Sequence, residues 1–217
     1  MIRAFSYNEF LFLLSAVQWT LALSAIAFIG GATVGLVIAL ARTSDVKAVR
    51  LAATGYIQLF QGTPLLMQLF LVFFGATVMG LDLNPWTAAA LGLTLNASAF
   101  LGEIWRGCIQ AVPRGQWEAA SALGLRYPGL MRYVILPQAV KVAVPPTVGF
   151  LVQLIKSTSL AAIIGFTELT RAGQIVNNAT FQPFLVFGIV AVLYFLMCWP
   201  LSLLSARLER RYALATR

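Results

Sequence analysis

Five long apolar runs constrain this chain more than any other feature of its sequence. A helix needs about 20 mainly apolar residues to cross the roughly 30 Å hydrocarbon core of a bilayer. The runs lie near residues 17–41, 54–79, 85–111, 141–166 and 183–206. They are continuous rather than alternating, which favours helices over barrel strands. The sequence therefore predicts an all-α integral membrane protein with five transmembrane helices in one domain, residues 1–217.

The composition excludes several other classes of protein. Of the 217 residues, 60% are hydrophobic and only 10% are charged, whereas about a quarter of the residues in soluble domains are charged. The net charge of +8 is confined to short gaps between the apolar runs, so no basic face is left for nucleic acid. Cys108 and Cys198 lie far apart and histidine is absent. We therefore expect no disulfide framework, no metal site and no cofactor.

The basic residues predict the orientation, because cytoplasmic loops retain an excess of lysine and arginine. Most of them lie in the first gap, in the gap after the third run and in the tail: Arg42, Lys47, Arg50, Arg106, Arg114, Arg126, Arg132, Lys141, Arg207, Arg210, Arg211 and Arg217. The opposite gaps hold Asp82, Glu168 and Arg171. We expect the N-terminus outside and the C-terminus in the cytoplasm. The first residues, with Arg3 and Glu9, resemble no cleaved signal peptide.

A stripe of small and polar residues follows one face of the third predicted helix, at spacings of three or four: Gly92, Asn96, Ala99, Glu103 and Arg106. Such a stripe faces another helix or a pathway rather than lipid. Glu103 and Arg106 lie one turn apart near the cytoplasmic end, which favours a structural ion pair over a ligand contact. For Asn96, which lies deeper, a pathway role and a packing role both stay open.

The second run carries three glutamines on one face: Gln58, Gln61 and Gln68. Between them Pro64 removes a backbone donor. A helix broken at Gly62, Thr63 and Pro64 would free carbonyls for a ligand or for a neighbouring helix, although membrane helices also tolerate proline for packing alone. Gln61 and Thr63 are therefore candidates for the substrate pathway.

A lysine deep in the fourth run is a further pathway candidate. Lys156 lies about 15 residues into that run, roughly 20 Å from its cytoplasmic end at 1.5 Å per residue. A charge at that depth is costly, and this points to a function. Its neighbours Ser157, Thr158 and Ser159 are able to hydrogen-bond a carboxylate or to stabilise a break in the helix. In the alternative reading, Lys156 reaches the membrane surface or pairs with Glu168.

The longest interior gap, residues 112–140, is predicted to be cytoplasmic and partly helical. Residues 118–125 (EAASALGL) are rich in good helix formers. The following residues 126–129 include a proline and are predicted to end that helix. We expect a short amphipathic helix beneath the membrane.

This gap also carries the most specific motif in the chain: Glu118, Ala119, Ala120, Gly124, Leu136 and Pro137. Its spacing resembles the EAA loop of import-type ABC transporter permeases, with Val134 where isoleucine is usual. The two alanines and Gly124 would give the helix a nearly bare face that fits a groove on another protein, and Glu118 would add one charge. The simpler alternative is a helical loop that only joins two spans.

Three further stretches resemble the polar amino-acid branch of that family, the histidine, arginine, glutamine and glutamate permeases: Gly62–Leu66 (GTPLL), Gly115 and Gln116 before the EAA helix, and Lys156–Leu160 (KSTSL). The likeness covers roughly residues 15–206. Gln61 departs from it, because arginine commonly precedes the GTPLL stretch. No substrate preference follows from that position.

The resemblance implies a permease subunit of the type I importer fold in a bacterial cytoplasmic membrane, in contact with lipid. Two such subunits, identical or homologous, would pair, a dimer of cytoplasmic ATPases would dock on their EAA loops, and an external solute-binding protein would deliver a polar amino acid. ATP-driven closure of the ATPases would drive alternating access. The chain has no GxxxxGK[ST] phosphate loop, so we expect no catalytic role for it.

Two other functions are compatible with parts of the sequence. An ion-gradient-driven secondary carrier or channel would explain the apolar runs, but the EAA loop and a length too short for paired repeats argue against it. A membrane scaffold that only recruits a cytoplasmic partner would explain the loop but not Lys156.

Overall fold

The computed structural model describes residues 4–213, so Arg3 and Arg217 lie outside the described residues. Within residues 4–213 all regular structure is helical, and the α-helices are α1 (Tyr7–Arg42), α2 (Lys47–Gln61), α3 (Leu65–Val78), α4 (Pro85–Gln110), α5 (Arg114–Ala122), α6 (Tyr127–Leu130), α7 (Leu136–Ser157), α8 (Leu169–Thr180) and α9 (Pro183–Ala213). A π-helical turn, Met131–Ile135, joins α6 to α7, and a 3₁₀ segment, Thr158–Ala162, extends α7.

Fewer helices qualify as membrane spans by length and composition than the five spans predicted from the sequence. Among residues 4–213, three helices are long and apolar enough to cross a bilayer: Tyr7–Arg42, the continuous helix Tyr127–Ala162 and Pro183–Tyr212. The bent pair of α2 and α3 makes a fourth if the two count as one span. At 26 residues α4 is long enough, but polar and charged residues along its length lower its hydropathy.

The central helix of the fold is α4, which packs against α1, α2, α3 and α7. Its most extensive interface is with α1. This interface depends on glycines that let the two backbones approach closely. A Cβ added at Gly31 would lie 2.6 Å from the Cβ of Ala97, and one at Gly35 would lie 3.0 Å from the carbonyl oxygen of Ser98. The two glycines therefore form the notch in which α4 lies.

Several boundaries differ from the sequence prediction. The first helix starts at Tyr7 rather than near residue 17, because Ser6 and Glu9 form a capping box there. The second run is broken, with α2 and α3 bent by 99°. An additional helix, α8, lies in the gap between the fourth and fifth predicted spans. This helix is amphipathic and has only 12 residues, so a search for long apolar runs does not detect it.

Candidate functional site

The break between α2 and α3 is held open by one side chain. Pro64 has no N–H to donate, so the chain leaves the helix over Gly62 and Thr63. The Gln68 amide nitrogen donates to the Phe60 carbonyl at 2.7 Å and to the Thr63 carbonyl at 3.0 Å. Carbonyls left without partners in a membrane are costly. Gln68 therefore replaces the helical hydrogen bonds that the break removes.

The Gln68 side chain also connects the break to the central helix α4. The Gln68 side-chain oxygen accepts a hydrogen bond from the Asn96 amide at 3.0 Å, and both side chains are buried. From the end of α2, Gln61 donates to the Ala99 carbonyl at 3.3 Å. Two polar bridges therefore fix the break against the small and polar stripe of α4.

A cavity of about 190 Å³ lies at this junction of the break, α4 and α7. Its wall combines amides and two hydroxyls with aromatic and aliphatic groups: Phe60, Gln61, Thr63, Leu65, Asn96, Phe100, Phe150, Gln153, Leu154 and Ser157. We call it the break pocket. It brings together four residues predicted from the sequence: Gln61, Thr63, Asn96 and Ser157.

Sequence reasoning missed two features of the break pocket. Gln153 lies one helical turn before Ser157 on α7, and that i, i+4 spacing was the signal that places it on the same face. The Phe100 and Phe150 rings stack with centroids 5.8 Å apart, one from each of the helices α4 and α7. No sequence pattern reveals that pairing, because it depends on how the two helices cross.

Three remaining candidates lie outside the break pocket wall: Lys156 near the end of α7, and Thr158 and Ser159 in the 3₁₀ segment. The hydroxyls of Ser157, Thr158 and Ser159 each donate to a backbone carbonyl three or four residues earlier, at 2.7 to 2.9 Å. These bonds accompany the change from α-helix to 3₁₀ helix after Ser157. Lys156 is exposed on this chain. Within residues 4–213 it forms no ion pair, so the alternative of a pair with Glu168 is wrong.

Glu168 instead caps the N-terminus of α8. Its fully buried carboxylate accepts hydrogen bonds from the Thr170 and Arg171 backbone N–H groups at 2.9 Å and from the Tyr194 hydroxyl at 2.6 Å. Burial raises the pKa of Glu168, and these donors lower it in part. Thr20 of α1 accepts from the Leu169 N–H at 3.1 Å. Glu168 therefore joins α8 to α9, and Thr20 joins it to α1.

The predicted pair of Glu103 and Arg106 is present near the C-terminal end of α4. The Arg106 Nε donates to a Glu103 carboxylate oxygen at 2.8 Å, and an Arg106 terminal nitrogen lies 2.5 Å from the other oxygen. Arg42 of α1 approaches the same carboxylate at 3.9 Å and donates to Thr54 of α2 at 2.7 Å. The pair thus lies where α1, α2 and α4 meet.

The EAA segment differs in detail from the predicted helix. Helix α5 begins at Arg114 and already ends at Ala122, before residues 126–129. Gly124 follows with φ of 78°, a left-handed conformation that glycine adopts freely. Gly124 therefore ends the helix and is not on its bare face. The prediction that residues 126–129 end it is wrong, because Pro128 opens α6 instead.

The two alanines of the motif face different ways. Glu118 and Ala119 are exposed on α5. Ala120 is buried in a cluster with Ile109 at the end of α4 and Ile135, the last residue of the π-helical turn before α7. One side of α5 is thus attached to both long helices, and the other is free for a partner.

Known proteins resemble this chain over most of its length. Residues 31–214 match the family described as "Binding-protein-dependent transport system inner membrane component". A probable amino-acid ABC transporter permease, YckA of Bacillus subtilis (strain 168), is 37% identical over 95% of this chain and 91% of its own length. The L-cystine transport system permease TcyB of Bacillus subtilis (strain 168) is 38% identical over 90% and 84%. The glutamine transport system permease GlnP of Escherichia coli (strain K12) is 35% identical over 92% of each chain.

Solved structures show the same fold. A chain from a crystal structure of an amino acid ABC transporter with histidines superposes with a TM-score of 0.88 at 36% identity, covering 96% of this chain and 100% of that one. A chain of the MetNI methionine ABC transporter in an inward-facing conformation gives a TM-score of 0.82 at 20% identity, covering 96% and 99%, and this second likeness supports the fold alone. The chain therefore belongs to the family of binding-protein-dependent transport system inner membrane components, the permease subunits of ABC importers.

Proposed function

We propose that this permease imports a polar amino acid across the cytoplasmic membrane by alternating access, driven by ATP hydrolysis in a partner. The break pocket is the observation that carries the substrate class. It is small and partly polar, and it lies where three helices meet, one of which is interrupted. The relatives named above for L-cystine and glutamine transport support the same class. They do not favour an ion-gradient-driven carrier.

The chemistry of the break pocket suits an amino acid whose side chain is uncharged. Amides of Gln61, Asn96 and Gln153 offer both donors and acceptors, and no charged residue is part of the wall. Within residues 4–213 the Gln153 side chain has no hydrogen-bond partner of its own, which leaves it available to a substrate. Lys156, three residues further along α7, supplies a positive charge near the pocket for the substrate carboxylate.

The proposed partners follow from the faces that the chain leaves open. A dimer of ATPases docks on Glu118 and Ala119 of α5, a second permease subunit completes the pathway, and an external solute-binding protein delivers the substrate. Movement of α5 reaches α4 and α7 through the cluster around Ala120. Because α4 and α7 also line the break pocket, one element connects ATPase closure to the substrate site.

A five-span topology is part of the proposal. Three long helices and the bent pair α2–α3 account for four spans. Helix α4 brings the number to five, since its 26 residues reach about 39 Å at 1.5 Å per residue. Three of its polar side chains contact neighbouring helices: Asn96 contacts Gln68 of α3, Ser98 contacts Tyr56 of α2, and Glu103 contacts Arg42 of α1. With the cytoplasmic EAA segment as reference, the N-terminus lies outside and the C-terminus inside.

Cysteines placed at Asp82 and at Lys47 test that topology. We expect an impermeant thiol reagent to label the Asp82→Cys variant in intact cells and the Lys47→Cys variant only after permeabilisation. Both variants are made in a Cys108→Ser, Cys198→Ser background, whose lack of labelling is the control. Labelling in the reverse pattern would contradict the orientation and place α5 on the wrong side for an ATPase.

Bulk at Ala119 is expected to weaken ATPase docking. Overpacking a fitted contact costs about 1 to 3 kcal/mol, so Ala119→Leu is expected to weaken the complex by roughly five- to a hundredfold, because 1.4 kcal/mol corresponds to tenfold. The measurement is co-purification with the ATPase, followed by transport. Gly124→Leu is a poorer test, because φ of 78° strains any side chain there even without a partner.

Ala111→Leu is the matched control, because Ala111 is also exposed but precedes α5. It is expected to retain the ATPase. Unchanged co-purification of both variants would show that this face of α5 is not the docking surface.

A further inference from the structure

A second cavity, of about 330 Å³, lies on the far side of α4 from the break pocket. Asn96 and Trp105 are nine residues apart, about two and a half turns at 3.6 residues per turn, so they project from opposite sides of α4. Side chains of three helices line this cavity, which we call the inner groove: Leu36 of α1, Trp105 and Cys108 of α4, and Leu136, Val140 and Ala143 of α7. The inner groove therefore faces away from the proposed pathway.

The inner groove offers almost nothing for water or a polar ligand to bind. Trp105 donates its indole N–H to the Thr147 hydroxyl at 2.9 Å, and that hydroxyl donates to the Ala143 carbonyl at 2.7 Å. These two polar side chains are thus already paired with each other, and an apolar cavity of this kind does not hold ordered water. An occupant of the inner groove has to be apolar.

The position of the inner groove identifies that occupant as an acyl chain. Leu136 and Ala143 belong to the first two turns of α7, and Leu36 lies six residues before the end of α1 at Arg42. At 1.5 Å per residue Ala143 lies roughly 10 Å beyond the start of α7, and Leu36 lies roughly 9 Å before the end of α1. In the proposed orientation the groove therefore extends along the part of these helices that lies in the inner leaflet. Val140 and Leu36 are 59% and 46% exposed, so the groove is open at its side.

A positive charge lies at the cytoplasmic mouth of the inner groove. Arg132 precedes Leu136 by four residues in the continuous helix Tyr127–Ala162, so the two share a face. Its side chain is exposed and lies over the Tyr133 ring at 6.0 Å. Within residues 4–213 Arg132 pairs with no carboxylate. Its guanidinium is free to bind the phosphate of an anionic lipid.

We propose that the inner groove binds one phospholipid of the cytoplasmic leaflet, with an acyl chain along α7 and its phosphate on Arg132. An acyl chain gives the lining side chains the dispersion contacts that an empty groove lacks. The inference rests on the proposed orientation, which the cysteine-labelling experiment tests separately. A second protein chain seated in the groove is the outcome that would exclude a lipid.

Quenching of Trp105 fluorescence tests the acyl chain. The full-length chain with Trp105 as its sole tryptophan is purified with its partners and placed in nanodiscs of phosphatidylglycerol with or without brominated acyl chains. We expect brominated lipid to quench Trp105, and Ala143→Phe, which fills the groove, to abolish that quenching. A chain with Trp199 alone is the control, because Trp199 is 51% exposed on α9. Quenching of Trp199 but not of Trp105 would overturn the proposal.

Lipid retention tests the phosphate contact and needs no tryptophan replacement. Native mass spectrometry of the otherwise unaltered chain counts the phosphatidylglycerol molecules that survive detergent washing. We expect Ala143→Phe and Arg132→Gln each to lose one retained lipid, and Arg210→Gln, a charge change in the tail, to lose none. Equal retention in all four proteins would contradict a lipid in the inner groove.

Discussion

Gln68→Leu is expected to dismantle the break between α2 and α3. Leucine has a similar size but cannot donate to the Phe60 and Thr63 carbonyls or accept from Asn96. Each buried polar group left unpaired costs about 1 to 3 kcal/mol, so the loss is on the order of 3 kcal/mol or more. We expect a large fall in the unfolding temperature in detergent and loss of transport, because the break pocket loses its wall.

Gln58→Leu is the matched control for that variant. Gln58 belongs to the same run but is exposed, and its side chain forms no hydrogen bond within residues 4–213. It is expected to leave the unfolding temperature unchanged. If Gln68→Leu were as stable and active as Gln58→Leu, the break would not depend on Gln68, and the description of the pocket would be wrong.

Glu168→Ala is expected to release α8 from α9. The Thr170 and Arg171 N–H groups and the Tyr194 hydroxyl all lose their acceptor. Loss of a cap alone costs about 0.5 to 2 kcal/mol, and unpaired buried donors add about 1 to 3 kcal/mol each. We expect a lower unfolding temperature, with early proteolysis or hydrogen exchange confined to residues 169–180.

Glu9→Ala is its control, because Glu9 also stands at a helix start and accepts from the Ser6 N–H at 3.0 Å, but nearer the surface. It is expected to cost no more than a surface cap, about 0.5 to 2 kcal/mol. Equal losses for the two variants would show that Glu168 is an ordinary cap and does not join α8 to α9.

The sequence predicts much of this fold because a long apolar run is enough to identify a membrane-spanning helix. The apolar runs predict the long helices, and Gly62 and Pro64 mark a possible break, but neither shows that Gln68 satisfies it. That contact depends on the 99° bend, which brings Gln68 back to the freed carbonyls. The stripe on α4 predicts a polar face, and the crossing of α4 and α7 decides that Asn96 and Ser157 share a pocket.

One prediction failed, and one open alternative is excluded, both for local reasons. The composition of residues 118–125 favours helix throughout, but Gly124 adopts φ of 78° and ends α5 early. A glycine inside a helical pattern is compatible with a packing face or with a terminator, and only the backbone angle decides between them. The sequence is compatible with an ion pair between Lys156 and Glu168. It does not show that the Glu168 carboxylate already accepts hydrogen bonds from the first turn of α8.

The most direct test of the central claim is amino-acid-stimulated ATP hydrolysis by the reconstituted complex. The chain is purified with its ATPase and solute-binding protein, placed in proteoliposomes, and supplied with each amino acid in turn. We predict that one polar amino acid, or a few, raises hydrolysis and is taken up. Asn96→Leu is predicted to abolish both responses while the ATPase stays bound. Uptake that persists without ATP and follows an ion gradient would contradict the account.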